Sequence, residues 1–142
     1  MKFKLILPVL LLVTCMTGFS QEKGPDKIKK AIPAVVEKGL IKVSIMYPFA
    51  EGKTFDMEYY ETKHMPMVAG FLGTNLVKYT IEKGLASGIP NTPLQFMAIG
   101  TFYVRDLAEY QAAIRPNIDT IRSDFPKYTT ISPVIFVSEI VK

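Results

Sequence analysis

From Leu40 onward the hydrophobic pattern switches between a period of 2 and one near 3.6, and the order of the switches leaves few architectures open. Ile41, Val43, Ile45 and Tyr47 alternate with Lys42, Ser44 and Met46, which is strand periodicity, and Pro48 ends it. Thr54 is placed to cap a helix whose first turn carries Asp56 and Glu58, where acids favour the positive end of the dipole. Tyr60, His64, Val68 and Phe71 then recur at helical spacing. Pro66 removes a backbone donor and predicts a kink, or a break into two short helices, near His64; Gly70 and Gly73 supply the stop. Val77, Tyr79 and Ile81 alternate with Lys78, Thr80 and Glu82 as a second strand. After a turn-rich connection from Gly84 to Pro93, too long for a two-residue hairpin, Phe96 to Val104 is apolar at nearly every position and predicts a strand covered on both faces. Asp106 and Glu109 form a capping-box-like pair ahead of the stripe Leu107, Tyr110, Ile114, Ile118, Ile121 and Phe125, bent at Pro116 and ended at Pro126. A β-branched-rich strand from Val134 to Val141 closes the series. The order β-α-β-β-α-β specifies a ferredoxin-like α+β fold, an antiparallel four-stranded sheet with two helices on one face.

Two helices cover only one face of such a sheet. Ile45, Tyr79, Ile99, Tyr103, Ile135 and Val137 are apolar positions of both parities, too many for the helix-facing side alone. An open apolar sheet is an aggregation hazard, so a second copy packed sheet to sheet across a two-fold axis is the expected cover. Such a homodimer leaves an apolar cavity of the type that small ligands use.

Ahead of this domain, Lys2 and Lys4 precede an apolar run from Leu5 to Val13, and Gly18-Phe19-Ser20 places small residues at a cleavage site. That is the layout of a signal peptide over residues 1–20, implying an exported, periplasmic or secreted protein. The run reaches roughly half of the ~20 residues a spanning helix needs. Cys15 lies in a loose lipobox, Leu12-Val13-Thr14-Cys15, so a membrane-tethered lipoprotein is the alternative and the only route to a membrane. Residues 21–39 mix charges with Gly24, Pro25, Pro33 and Gly39 and read as a linker or weakly ordered extension, which leaves 40–142 as the folded domain. Cleavage after Ser20 removes the only cysteine, and with it any disulfide or thiolate chemistry. The net charge of +4 falls to +2 without Lys2 and Lys4, and no basic cluster is interleaved with aromatics, so nucleic acid is not the expected partner.

The run from Phe55 to Val68, with Tyr59-Tyr60 followed by His64-Met65-Pro66, resembles the helical motif of the EthD-like family in the dimeric α+β barrel superfamily. Ile41 to Pro48 resembles that family's first strand, Lys83-Gly84-Leu85-Ala86 the end of its second, and Asp124-Phe125-Pro126-Lys127-Tyr128-Thr129 the approach to its last. The resemblance covers about residues 40–142. It implies an oxidoreductase or an isomerase-like activity, since the wider superfamily holds cofactor-free monooxygenases, muconolactone isomerases and haem-binding members. Two features depart from the pattern. Members are usually cytoplasmic, whereas this chain carries an export signal, and the place where many have a histidine after the second helix's proline is Asn117.

The single histidine, His64, stands one turn after Tyr60 and is the expected general base toward a phenol or an activated carbon acid, with Tyr60 orienting or donating to a substrate oxygen. The bland alternative is that His64 only satisfies a carbonyl freed by Pro66. Tyr59, Val68, Phe71, Asn117 and Asp124 are the expected substrate contacts, Asp124 because an acid at a helix C-terminus is poorly placed for stability. No Gly-x-Gly-x-x-Gly, Walker loop, serine elbow or second His or Cys is present, so no cofactor or metal is expected, although one histidine suffices to ligate a haem. Two readings remain from the sequence. One is metal-free proton transfer or cofactor-independent oxidation of a small apolar or aromatic compound, and the other is a noncatalytic ligand-binding or structural dimer.

Overall fold

A computed structural model describes residues 37–142. The export segment 1–20, Cys15 and the linker up to residue 36 lie outside the described residues. Strand β1 (Ile41–Pro48) leads into a helix wound in three ways: α1 (Met57–Tyr59), a π-helical turn (Tyr60–His64) and α2 (Met65–Leu72). Strands β2 (Leu76–Lys83) and β3 (Phe96–Val104) follow, then α3 (Leu107–Ile114), α4 (Ile118–Asp124) and β4 (Val134–Glu139). The sheet order is β2-β3-β1-β4 with every neighbouring pair antiparallel, so the ferredoxin-like arrangement expected from the pattern is the one found.

The prolines act where the sequence puts them, though by different means. Pro66 lies in the first turn of α2, directly after the π turn, whose widened ring is closed by the Met65 N–H donating to the Tyr60 carbonyl. Pro116 falls in a 3₁₀ turn (Arg115–Asn117) that separates α3 from α4, and Pro126 in a second one (Phe125–Lys127) that ends the helix. The first helix is capped by Asp56, not Thr54. Asp56 Oδ1 accepts from the Tyr59 N–H at 3.0 Å, while the Thr54 carbonyl accepts from the Thr129 hydroxyl at 3.0 Å.

Register decides which side chains share a face. Val43 pairs with Phe102 and Val137, Ile45 with Gly100 and Ile135, and Phe102 with Tyr79. These residues form the helix-covered side, where Val43, Tyr47, Ala98, Phe102 and Val104 are buried with Tyr60, Met65, Val68 and Leu72 from the first helix and Ile121 from the second. Of the six apolar positions singled out in the sequence, only Ile99 and Tyr103 belong to the opposite face. Met46, Val134 and Phe136 join them there, while Ser44 and Thr101 place hydroxyls 3.3 Å apart at its centre.

Gly100 lies beneath the π turn. A Cβ there would stand 2.0 Å from the Tyr60 hydroxyl and 3.0 Å from the Met65 sulfur, both on side chains that are almost wholly buried. Both would have to shift, so Gly100→Ala is expected to lower the unfolding free energy by about 1–3 kcal/mol, the usual cost of overpacking, as read from the urea midpoint.

Candidate active site

Between the helices and the sheet lies a cavity of about 390 Å³. Its inner end is made by Tyr47, Tyr60 and His64, which are 0%, 1% and 4% exposed, and its outer end by the exposed residues Arg122, Ser132 and Ile135. Apolar side chains, among them Met65, Val68, Ile118 and Ile121, form the walls between.

A continuous chain of hydrogen bonds runs behind the inner end. His64 Nδ1 lies 2.9 Å from Asp124 Oδ2, His64 Nε2 3.2 Å from the Tyr128 hydroxyl, and that hydroxyl 2.8 Å from the Tyr47 hydroxyl. The other carboxylate oxygen of Asp124 accepts from the Tyr59 hydroxyl at 3.0 Å and from Lys127 Nζ at 2.9 Å. Sequence distance is bridged by the fold: the π turn presents His64, the end of α4 presents Asp124, the following 3₁₀ turn releases Tyr128, and β1 carries Tyr47.

The electrostatics fix the direction of the chain. Burial disfavours the charged form of Asp124, but hydrogen bonds from His64, Lys127 and Tyr59 outweigh it and hold the carboxyl below its ordinary range. Burial also pulls the His64 imidazole below the ordinary histidine value, and the bond to Asp124 offsets this only in part. At neutral pH the pair is therefore a carboxylate and a neutral imidazole whose Nδ1–H donates to Asp124. Nε2 can then only accept, so the Tyr128 hydroxyl donates to it, and Tyr47, finding the single Tyr128 proton committed, donates to Tyr128. The Tyr60 hydroxyl is next along, its proton directed at the Tyr47 oxygen, so one lone pair of that oxygen remains for a ligand beside the cavity. Burial pushes the Tyr47, Tyr60 and Tyr128 hydroxyls well above the ordinary tyrosine value, so each is a protonated hydroxyl at rest.

Among the residues expected from the sequence, His64, Tyr60 and Val68 line the cavity. Asp124 and Tyr59 do not line it; they reach it through His64, Asp124 as the acceptor behind the imidazole and Tyr59 as a donor to Asp124. Phe71 packs against the core away from the cavity. Asn117 is turned onto its own helix, with Nδ2 donating to the Ala113 carbonyl at 2.9 Å. Tyr47, Tyr128, Lys127 and Arg122 were not anticipated. Asp124 and Tyr128 are four residues apart in the late aromatic block, a spacing that could have drawn attention to Tyr128. Both nitrogens of His64 are engaged by Asp124 and Tyr128, so the imidazole offers no free nitrogen for a haem iron.

The family model for the EthD domain matches residues 52–131, more than half of the chain. This chain belongs to the EthD family. The match holds His64, Asp124 and Tyr128, while Tyr47 stands just ahead of it. Among solved structures, an EthD-like protein from Ralstonia eutropha JMP134 is 41% identical with a TM-score of 0.69, over 74% of this chain and 95% of that one. An ethyl tert-butyl ether D (EthD) family protein from Bacillus halodurans C-125 shares the fold at 19% identity and a TM-score of 0.52, over 70% of this chain and 97% of that one. No curated protein matches.

Proposed function

We propose that this EthD-family protein is an exported homodimer that takes a small apolar or aromatic compound into the cavity and removes a proton from it without a metal. The observation that carries the reading is the one-way hydrogen-bond chain from Tyr47 through Tyr128 to the His64–Asp124 pair. A ligand O–H or activated C–H at the Tyr47 oxygen gives up its proton as Tyr47 passes its own to Tyr128 and Tyr128 passes its own to His64 Nε2. The net result is a ligand anion and an imidazolium whose charge Asp124 neutralises. Return of the proton at a second carbon completes an isomerisation, whereas reaction of the anion with dioxygen completes an oxidation. Screening phenols, quinols and enolisable ketones under air and under nitrogen, with deuterium incorporation from D₂O as a second readout, tests the reading and separates the two outcomes. Ligand binding with neither turnover nor exchange across the panel would favour a noncatalytic binding module.

The dimer is supported by the sheet face away from the helices, where Val134 and Phe136 are 51% and 56% exposed beside Met46 and Ile99. Light scattering on the purified protein at micromolar concentration is expected to give about twice the mass of one chain, because interfaces of standard size are normally saturated there. Phe136→Asp is expected to give monomers, and a monomeric parent protein would remove this part of the proposal. Export is supported by the Lys2, Lys4, apolar run and Gly18-Phe19-Ser20 layout, with lipidation at Cys15 as the alternative.

A further inference from the structure

The cavity is polar at both ends, and the two ends differ in kind. At the inner end His64 is neutral at rest with the Asp124 carboxylate behind it. At the outer end Arg122, on α4, is the one permanently charged side chain in the lining, which also includes the exposed Ser132. The ion pairs among the described residues join His64 and Lys127 to Asp124, and Lys78 to Glu37; the Arg122 guanidinium enters none of them. Everything between the two ends is apolar.

We infer that the ligand is a small apolar or aromatic carboxylic acid, bound with its carboxylate against Arg122 and Ser132 at the mouth and its exchangeable proton at Tyr47. The inference rests on the proton-transfer reading of the same cavity and adds the class and orientation of the compound. A carboxylate driven to the inner end would meet the Asp124 charge in a poorly solvated space and lose its own hydration there. At the mouth it keeps part of that hydration and gains a guanidinium able to bind it through two parallel N–H bonds. An apolar body spanning the walls then places the far end of the molecule at the Tyr47 oxygen. A cavity of 390 Å³ lies toward the small end of the ligand-site range, about 300–1,000 Å³, which suits a compound of one ring or two.

Calorimetric titration of the purified protein with para-propylbenzoate and with para-propylbenzyl alcohol, a neutral partner of similar shape, tests this directly. The benzoate is expected to bind about tenfold or more tightly than the alcohol at low salt, with the margin shrinking as salt is added. Arg122→Gln should erase the margin and leave alcohol binding within about twofold, whereas Arg122→Lys should keep part of it. Equal binding of the two probes to the parent protein, a margin that survives Arg122→Gln, or failure of both probes to bind at millimolar concentration would each overturn the inference. Equilibrium binding involves no proton transfer. A protein that shows the Arg122-dependent margin but turns nothing over would therefore sink the catalytic reading alone.

Discussion

His64→Gln is expected to lower turnover of the cavity's substrate by about 10²-fold or more while leaving the protein folded. The Gln amide can still accept a hydrogen bond from Tyr128, but it cannot take the proton that Tyr47 must pass on, so the chain becomes a dead end. Tyr128→Phe should cost a similar factor, because it removes the bridge between Tyr47 and Nε2. The double variant should be little worse than either single one, since the groups work as a unit. The pH profile carries the sharper test. His64 must be neutral to receive a proton, and burial holds its value below that of a free histidine. The parent rate should therefore stay level through neutral pH and fall only on acidification below the ordinary histidine range, about 6.5. That acid limb should be missing from the residual rate of His64→Gln. Full turnover in a destabilised His64→Gln protein would reduce His64 to a structural role.

Asp124→Ala is expected to lower stability by about 1–3 kcal/mol, because it leaves buried hydrogen-bond donors without their acceptor. The carboxylate accepts from His64, Tyr59 and Lys127. Its loss strands a buried imidazole N–H and the Tyr59 hydroxyl, whereas the exposed Lys127 turns to water at little cost. In urea unfolding, where slopes for small proteins run about 1–3 kcal/mol per molar, the midpoint should fall by about 1 M. Acid should also act on the parent protein in two stages. The folded His64 value is depressed, so below about pH 6.5 the unfolded chain takes up a proton that the folded one refuses, and stability falls. The Asp124 value is depressed as well, so its contribution is present above about pH 4 and is lost as pH falls through the folded value. Asp124→Ala should lack the second stage. A variant that unfolds in urea and acid like the parent protein would mean that the carboxylate contributes little to the folded state.

Alternation and helical spacing were enough to lay out the four strands, both helices and their interruptions, because each reports a face that must be buried in any compact solution. Which face a strand residue takes in the sheet was harder. Tyr79 and Val137 lie on the helix side only because their partners Phe102 and Val43 do, and pairing register is a property of two strands rather than one. The site was legible to the same extent. His64 stood out as the only histidine, and Asp124 because an acid ending a helix needs a reason; the reason is an imidazole 60 residues away. Tyr47 gave no such signal, since a tyrosine on a strand usually fills a core, and Tyr128 gave only its four-residue spacing from Asp124. Their hydroxyls become part of a chain only when β1 and the segment after α4 meet. Asn117 and Phe71 were singled out by helix position, and the winding of their own segments turns both from the cavity.

The π turn at Tyr60–His64 amounts to one residue more than ordinary helical winding would use. Glu61, Thr62 and Lys63, on its outer side, are all exposed, so composition there is nearly free, and the surplus residue is taken up locally. Deleting one of them would let the backbone rewind as α-helix with the residues on either side nearly in their present phase, because a π turn is a single residue inserted into α winding. Met65, Val68 and Leu72 would stay against the sheet, and Tyr60 above Gly100 and Tyr59 beside Asp124 would keep nearly the same bearing. The connection from Gly84 to Pro93 can gain or lose residues with little consequence for the cavity. At the π turn the loss of one residue is expected to close the widened ring and keep the two halves of the helix in phase. The same loss within α2, which has no surplus, would turn one half against the other by about 100°.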